Sequence, residues 1–533
     1  MVIAWMCIAT VALILLTRDL PTNGFFSGDP GLKLIAAFEA IAHPARPFEV
    51  DLPRVGGQPR PWVDPMFEIH GNHAHALQSP LFPVLSAPLI VVAGLRGAYL
   101  LPAISFVLLV PLMNATRRAL VPSLSPAWLG FFVVVVNPVF FYALEFWEHV
   151  PAIALLTAVT ALVSMPNSHA RPAASRMVAA GLLGGIAVLL RPEAAWYLAA
   201  LVAVLGLRFA LFAQFGAGAG LILLPFAIAN FMHSGNPLGA HATANLAPLG
   251  SAYIETHVHR TALWLLPSSG AGLIGAALLV VSSGARILSF RSRHLYWSGL
   301  AGGLLIAASA AFGELPRESL WTAWPVGVLA LTGLRRDRST AMLGTISLIT
   351  LSGITLTSTH DGGAQWGPRF LLIAAPALVL LAAKAAQELT TAVPYRTLTA
   401  VLVVLVCMCG AASTRRAYRE LRASKRYYAR VVAAAQRVIP PGGYAITDVW
   451  WFDQIAAPLW RSRTILYVKD EPTTRTATEA LALAGIVSVV LVSSGEEPGE
   501  FGVTGSCFHE VHVEAIEERR LRFATLQCGT TEH

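Results

Sequence analysis

Charge is what this chain has least of. Only 13% of its 533 residues are Asp, Glu, Lys or Arg, while 55% are hydrophobic; soluble proteins usually carry roughly 25% charged residues. An ordinary soluble enzyme is excluded. Cysteine is scarce as well, and five are too few for a disulfide scaffold. The sequence holds no Walker loop, no GxGxxG placed between a strand and a helix, and no GxSxG elbow, so nucleotide hydrolysis and serine chemistry find no support. Nor is there an internal repeat, the mark of many secondary transporters.

The charges that exist are unevenly placed. Residues 413 to 533 hold 15 basic and 14 acidic side chains, leaving 23 basic and 16 acidic in the first 412. This predicts a membrane part, 1 to 412, followed by a small domain, 413 to 533. The net charge of +8 falls mostly in the apolar part, where Lys and Arg orient loops, so no nucleic-acid partner is expected.

A span needs about 20 mostly apolar residues. Thirteen runs qualify, several shortened by Gly and Pro: 2 to 16, 97 to 114, 127 to 144, 150 to 166, 177 to 190, 194 to 207, 209 to 229, 262 to 283, 295 to 313, 319 to 333, 341 to 358, 370 to 386 and 397 to 412. The first lacks the basic n-region and cleavage site of a signal peptide. With a cytoplasmic N-terminus, the inside loops collect 13 basic residues against two acidic ones, Asp337 and Glu388. That excess fixes the orientation, and an odd number of spans sends the tail outside.

Residues 17 to 96 are too long for a connector, and such loops are usually functional. Pro30 to Ala42 and Pro80 to Ala93 read as helices lying in the interface plane. The tail reads as a small α/β domain. Its strands are Tyr444 to Thr447, Thr464 to Val468 and Val487 to Val492, its helix is Thr474 to Ala484, and Phe508 to Val513 with Leu521 to Leu526 form a closing hairpin. Cys507 and Cys528 flank that hairpin and are expected to pair if the tail lies outside the cytoplasm. Cys7, Cys407 and Cys409 sit in apolar runs and read as small buried hydrophobes.

Ionisable groups at membrane depth are costly and usually functional, and here they gather at the outer ends of spans. Asp29 and Lys33 lie in "SGDPGLKL", Glu145, Glu148 and His149 in "ALEFWEHV", Arg191 and Glu193 in "LLRPEAAW", and Asp361, Trp366 and Arg369 in "THDGGAQWGPRF". Asp29 before Pro30 has a plain alternative, an N-cap with a following proline; the functional reading is a carboxylate that accepts a proton as general base. Glu145 and Glu148, three apart, share one helix face, although an outer turn could simply carry them in water. Arg191 contradicts the positive-inside rule, and its plain alternative is an ion pair with Glu193 or another carboxylate. Arg369 offers a planar fork of donors suited to a phosphate. His70, His73, His75, His257 and His259 recur outside, but their spacing matches no helical zinc motif and no cysteine assists. No metal ligand is assigned.

The order and common sidedness of these elements over roughly residues 1 to 412 resemble the GT-C superfamily of membrane glycosyltransferases, which includes bacterial aminoarabinose transferases and protein O-mannosyltransferases. Asp29 in "GDPGLKL" matches that family's acidic residue after the first span, and "FWEH" matches its second, with Glu148 preferred and Glu145 in reserve. "LLRPEA", "HSGNPLGAH" and "WGPRFLL" resemble stretches in bacterial proteins of this kind, and "ITDVWWF" the start of their outer domain. The first site carries one acid followed by Pro30 rather than two, which departs from metal-dependent variants; the expectation is no cofactor.

The resemblance implies an α-helical polytopic membrane protein of the bacterial cytoplasmic membrane with an extracytoplasmic α/β domain. It implies transfer of a sugar from a polyprenyl-phosphate carrier to a lipid, glycan or protein acceptor at the outer face, with inversion. Asp29 and Glu148 would be catalytic; Arg369, Arg191, His149, Glu145, Glu193, Asp361, Trp366 and Lys33 would bind substrate. The rival is a transporter or lipid flippase, which predicts charges spread through the bilayer and paired halves.

Overall fold

The computed structural model describes residues 1–165, 173–206, 209–239, 251–287, 293–332, 337–358, 365–391, 396–494, 508–516 and 521–528. Two compact units emerge: Met1–Asp19 with Leu101–Leu421, and Leu20–Leu100 with Arg422–His533.

The first unit is helical. Among the described residues, five helical segments of the chain are long and apolar enough to cross a membrane: Leu81–Leu120, Phe209–Met232, Arg338–Thr357, Arg369–Thr391 and Arg396–Val438. A sixth arises if Glu255–Leu265 and Gly270–Gly284, bent by 88°, count as one span. Val2–Thr17, His149–Ser164, Ala174–Leu190, Ala194–Leu205 and Trp297–Phe312 are shorter apolar helices. The thirteen apolar runs thus become unequal pieces, and the breaks have local causes. The run at 127 to 144 is divided into Pro126–Val134 and Val139–Ala143. Pro138 has no N–H to continue the ladder, and Asn137 Oδ1 accepts from Val139 N at 3.1 Å, capping the second piece. Pro325 likewise divides 319 to 333 into Leu320–Ala323, a 3₁₀ turn Pro325–Gly327 and Val328–Thr332.

Helices meet closely where glycines allow. A Cβ on Gly275 would stand 2.6 Å from Gly302 O, and one on Gly302 2.4 Å from Gly275 O, so the two helices touch backbone to backbone, as small residues permit in membranes. At one end of this unit, groups assigned to inside loops converge. Lys384 Nζ reaches Asp337 Oδ2 at 2.9 Å and Glu388 Oε1 at 3.6 Å, and Gln387 Nε2 donates to Ser123 O at 2.9 Å. Burial alone would raise the Asp337 carboxyl, but bonds from Thr340, Lys384 and Ser339 outweigh it and hold it well below the usual range.

The second unit is built on a five-stranded sheet in the order Thr464–Tyr467, Tyr444–Thr447, Ser488–Ser494, Leu521–Cys528, Phe508–Ile516. The first three strands are parallel and the last two antiparallel to their neighbours. Both faces are covered, as parallel strands require. Tyr428, Val431, Val432 and Ala435 of the helix Arg396–Val438 pack on one face. On the other lie Ala477 and Leu481 of the helix Glu471–Leu483, with Val55 and Trp62 of the long loop. That loop also forms a small antiparallel sheet of Val50–Asp51, His73–Ala76 and Phe67–His70. "HGNH" is its hairpin turn, with Gly71 at φ 61° and His70 opposite His73.

Cys7, Cys407 and Cys409 are free, with Cys7 exposed rather than buried. Cys528 is disulfide-bonded; Cys507 lies outside the described residues.

Candidate active site

In the helical unit, charged residues of three separate sequence motifs come together. Arg191 follows the helix Ala173–Leu190, and Glu148 precedes His149–Ser164. Arg191 Nη1 donates to Glu148 Oε1 at 3.0 Å and its Nη2 to Glu193 Oε1 at 2.9 Å. The guanidinium also stands 5.0 Å from the Phe370 ring. Arg369 opens the next motif and lies 5.8 Å from Trp147 and 5.4 Å from Phe370. The ion pair weighed as the plain alternative for Arg191, with Glu193 or another carboxylate, is present as a fork to both Glu193 and Glu148.

Burial sets the energetics. Glu148 is 2% exposed, and Arg191 and Arg369 8% each. Taking such charges out of water costs several kcal/mol per ion, so a purely architectural role would be served more cheaply by apolar side chains. Aromatic groups form the wall. Tyr142 donates to Trp366 O at 2.7 Å, its ring lies 4.9 Å from His149 and 5.2 Å from Trp147, and Phe141 lies 6.4 Å from Trp366. Glu145 is fully buried and turns Oε1 to Phe146 N at 3.0 Å, so it is not a surface carboxylate in water. Asp361 lies outside the described residues. A small pocket nearby is lined by Phe141, Leu144, Trp366, Ala417 and Tyr418. Tyr142 was missed by sequence reasoning; its position one turn before Glu145 and Phe146 in an aromatic run was the available signal.

Asp29 and Lys33 belong to the second unit and are described within it. The helix Asp29–Ala42 has Gly28 as its N-cap and no side-chain capping bond. The plain alternative for Asp29, an N-cap, is not what the helix shows: Asp29 stands inside the first turn, with Pro30 second, because Gly28 already adopts helical dihedrals. Lys33, four residues on and thus on the same helix face, is buried at 2%.

Three residues missed in the sequence lie near Asp29. Asp64 and Asp453 are 1% and 4% exposed. Gln454 Nε2 donates to Asp64 Oδ2 at 2.7 Å, and Met66 N donates to Asp64 Oδ1 at 2.6 Å. Burial pushes the Asp64 carboxyl up. Burial first, and then the charge of Asp64, drive Asp453 well above the carboxylate range.

For a metal, the described residues bring together Glu39, His43 and Asp51, whose ligand atoms lie within 4.8 Å of one another. Their polar atoms already have protein partners. Trp460 Nε1 donates to Glu39 Oε1 at 2.7 Å, and Arg46 Nη2 pairs with Asp51 Oδ1 at 2.8 Å. His43 Nε2 faces Asp51 Oδ2 at 3.3 Å. This is an ion-pair network, and His73 joins it at 3.2 Å from Asp51.

The fold is shared with solved proteins. ArnT from Cupriavidus metallidurans, in a crystal structure bound to undecaprenyl phosphate, superposes with a TM-score of 0.54 at 14% identity, covering 99% of this chain and 98% of that one. Its apo state gives 0.54 and 14% over 98% of each chain. The oligosaccharyltransferase AglB from Archaeoglobus fulgidus aligns over 99% of this chain and 75% of its own, with a TM-score of 0.47 and 14% identity. No protein-family model matches the chain, and no curated protein matches it by sequence. The architecture is thus that of ArnT, a solved structure whose whole length this chain follows.

Proposed function

We propose that the protein is a GT-C glycosyltransferase that moves a sugar from a polyprenyl-phosphate carrier to a lipid, glycan or protein acceptor at the outer membrane face. The observation that carries this reading is the buried pair of guanidiniums, Arg191 and Arg369, set among Trp147, Phe370 and Glu148. Undecaprenyl phosphate bound to ArnT, which has the same fold, supports a lipid phosphate as the anion these cations serve.

In this reading the acceptor hydroxyl oxygen attacks the anomeric carbon, the carbon–oxygen bond to the carrier phosphate breaks, and the electron pair leaves on the phosphate. Asp29 takes the hydroxyl proton, with Glu148 as the second acid. Attack opposite the leaving group inverts the anomeric centre. Arg369 and Arg191, with His149, stabilise the charge that grows on the phosphate, where preorganised cations contribute most. Glu193 orients Arg191; Trp366, Glu145, Lys33 and Asp361 shape the substrate surroundings. The carrier enters laterally from the bilayer, and no nucleotide or other cofactor is invoked.

The organisation that goes with this reading is thirteen spans, a catalytic membrane domain at 1–412 and an extracytoplasmic domain at 413–533. The N-terminus is cytoplasmic, in a bacterial cytoplasmic membrane. The disulfide at Cys528 fits an oxidising compartment. Lipid analysis of a deletion strain beside its parent tests the function: an undecorated glycolipid or an accumulating sugar carrier is expected, and identical profiles would remove the reading.

A further inference from the structure

The start of the Asp29 helix is gripped from the tail of the chain. A Cβ on Gly28 would stand 1.5 Å from Gln454 Oε1, and one on Gly31 1.6 Å from Gln454 O. Backbone blocks any side chain at Gly31, and at Gly28 the Gln454 side chain would have to shift, so the helix's first turn carries a notch filled by a single glutamine. Gln454 is 2% exposed and is itself fixed: its Nε2 donates to Asp64 Oδ2 at 2.7 Å, and its N donates to Asp453 Oδ1 at 2.8 Å. Behind it the side chains of Asp453 and Asp64 hydrogen-bond each other. Two carboxyl groups can bond directly only when one carries a proton.

Asp29 repels Asp64 electrostatically, which places the pair's charge within reach of the Asp29 carboxylate. The chain therefore spends three buried polar residues, Asp64 and the adjacent Asp453 and Gln454, on the first turn of one helix. Burying two carboxyls together is expensive. An apolar contact would hold the helix end as well if holding were all that was needed.

We propose that Gln454, with the Asp64–Asp453 pair behind it, is the positioning device for Asp29, fixing the first turn of its helix from the tail and setting the negative charge beside it. This rests on the reading of Asp29 as the general base, and it gives the tail a role in the reaction. The notch fixes where the Asp29 carboxylate stands, and the pair tunes the pH at which it can accept a proton.

The test uses membranes of a deletion strain carrying each full-length variant, with lipid extract of the empty deletion strain as substrate. Gln454→Ala and Gly28→Ala should each lower turnover about tenfold to a hundredfold, because small misplacements of a reacting group cost that much. Combined, they should lose no more than the worse of the two, since Gly28→Ala clashes with a side chain that Gln454→Ala removes. Losses that multiply would overturn the notch. The double variant Asp64→Asn with Asp453→Asn removes one negative charge, so the acid limb of its turnover–pH profile should move to lower pH by roughly half a unit to one unit. A merely structural pair would leave that limb in place, and superposed profiles would overturn the charge-setting role. Asp29→Asn is run alongside: full activity there removes the base reading itself, whereas an inactive Asp29→Asn with unshifted profiles removes only this proposal.

Discussion

Arg191 and Glu148, 43 residues apart in sequence, meet through a 3.0 Å hydrogen bond with both side chains under 10% exposed. An arginine just past the end of one helix thus answers an acid just before the start of another. Removing one partner leaves the other charged and buried, which typically costs about 3–5 kcal/mol. Arg191→Leu should therefore unfold in detergent at clearly lower temperature than the parent. Adding Glu148→Gln should recover a large part of the loss, because the more deeply buried of the two partner carboxylates is then neutral; equal melting temperatures for parent and Arg191→Leu would show the pair to be slack.

The Asp64–Asp453 pair makes stability fall with pH. Both carboxyls are raised in the folded protein, by burial above all, so the folded state holds protons that the unfolded chain releases. Their contribution is complete below the ordinary carboxylate value, about 4. It is lost as pH rises through the raised values. Melting temperature should decline as pH climbs above about 4, and Asp453→Asn, which cannot ionise, should flatten that decline. A slope unchanged by Asp453→Asn would assign the dependence elsewhere.

The readable parts of the sequence were those with a local signal. Alternation and turn residues placed strands at Tyr444–Thr447 and Thr464–Tyr467, because β-branched and aromatic runs bounded by Gly and Pro leave few options. Arg191 stood out because it broke a charge rule. The breaks at Pro138 and Pro325 were visible as prolines, yet mean hydropathy runs straight through them and joined two pieces into one span. Asp64, Asp453 and Gln454 gave no signal at all. Each is an ordinary polar residue in a polar stretch, and the bond between Gln454 and Asp64 spans 390 positions, beyond the reach of any periodicity. Asp29 was legible as special, but the plain alternative weighed for it, an N-cap, did not foresee that Gly28 takes that place.

Sidedness has its own test. Trp450 is 53% exposed, so Trp450→Cys, in a chain whose free Cys7, Cys407 and Cys409 are replaced by serine, offers a reactive thiol on the tail. An impermeant maleimide should label it in intact cells with a permeable outer envelope. Labelling only after the cytoplasmic membrane is opened would reverse the orientation and with it the outer placement of the proposed reaction.

Asp29→Asn separates chemistry from architecture. Gly28 is the N-cap and Asp29 lies in the first turn, where a carboxylate meets the positive end of the helix dipole. Such interactions contribute about 0.3–1 kcal/mol. Asparagine keeps the shape, so insertion should match the parent and the melting temperature should drop only slightly. The chemical loss is of another size. A missing general base costs a factor of about 100 to 10,000 in rate, equivalent to roughly 3 to 5.5 kcal/mol at 1.36 kcal/mol per tenfold. Sugar transfer by Asp29→Asn should therefore be nearly absent from a protein that is otherwise intact, while Arg369→Lys, which keeps the charge and loses the fork, should retain more activity. Turnover measured on membranes with matched protein content decides. Parental activity in Asp29→Asn would return Asp29 to the helix as an ordinary first-turn acid and leave Glu148 as the remaining base.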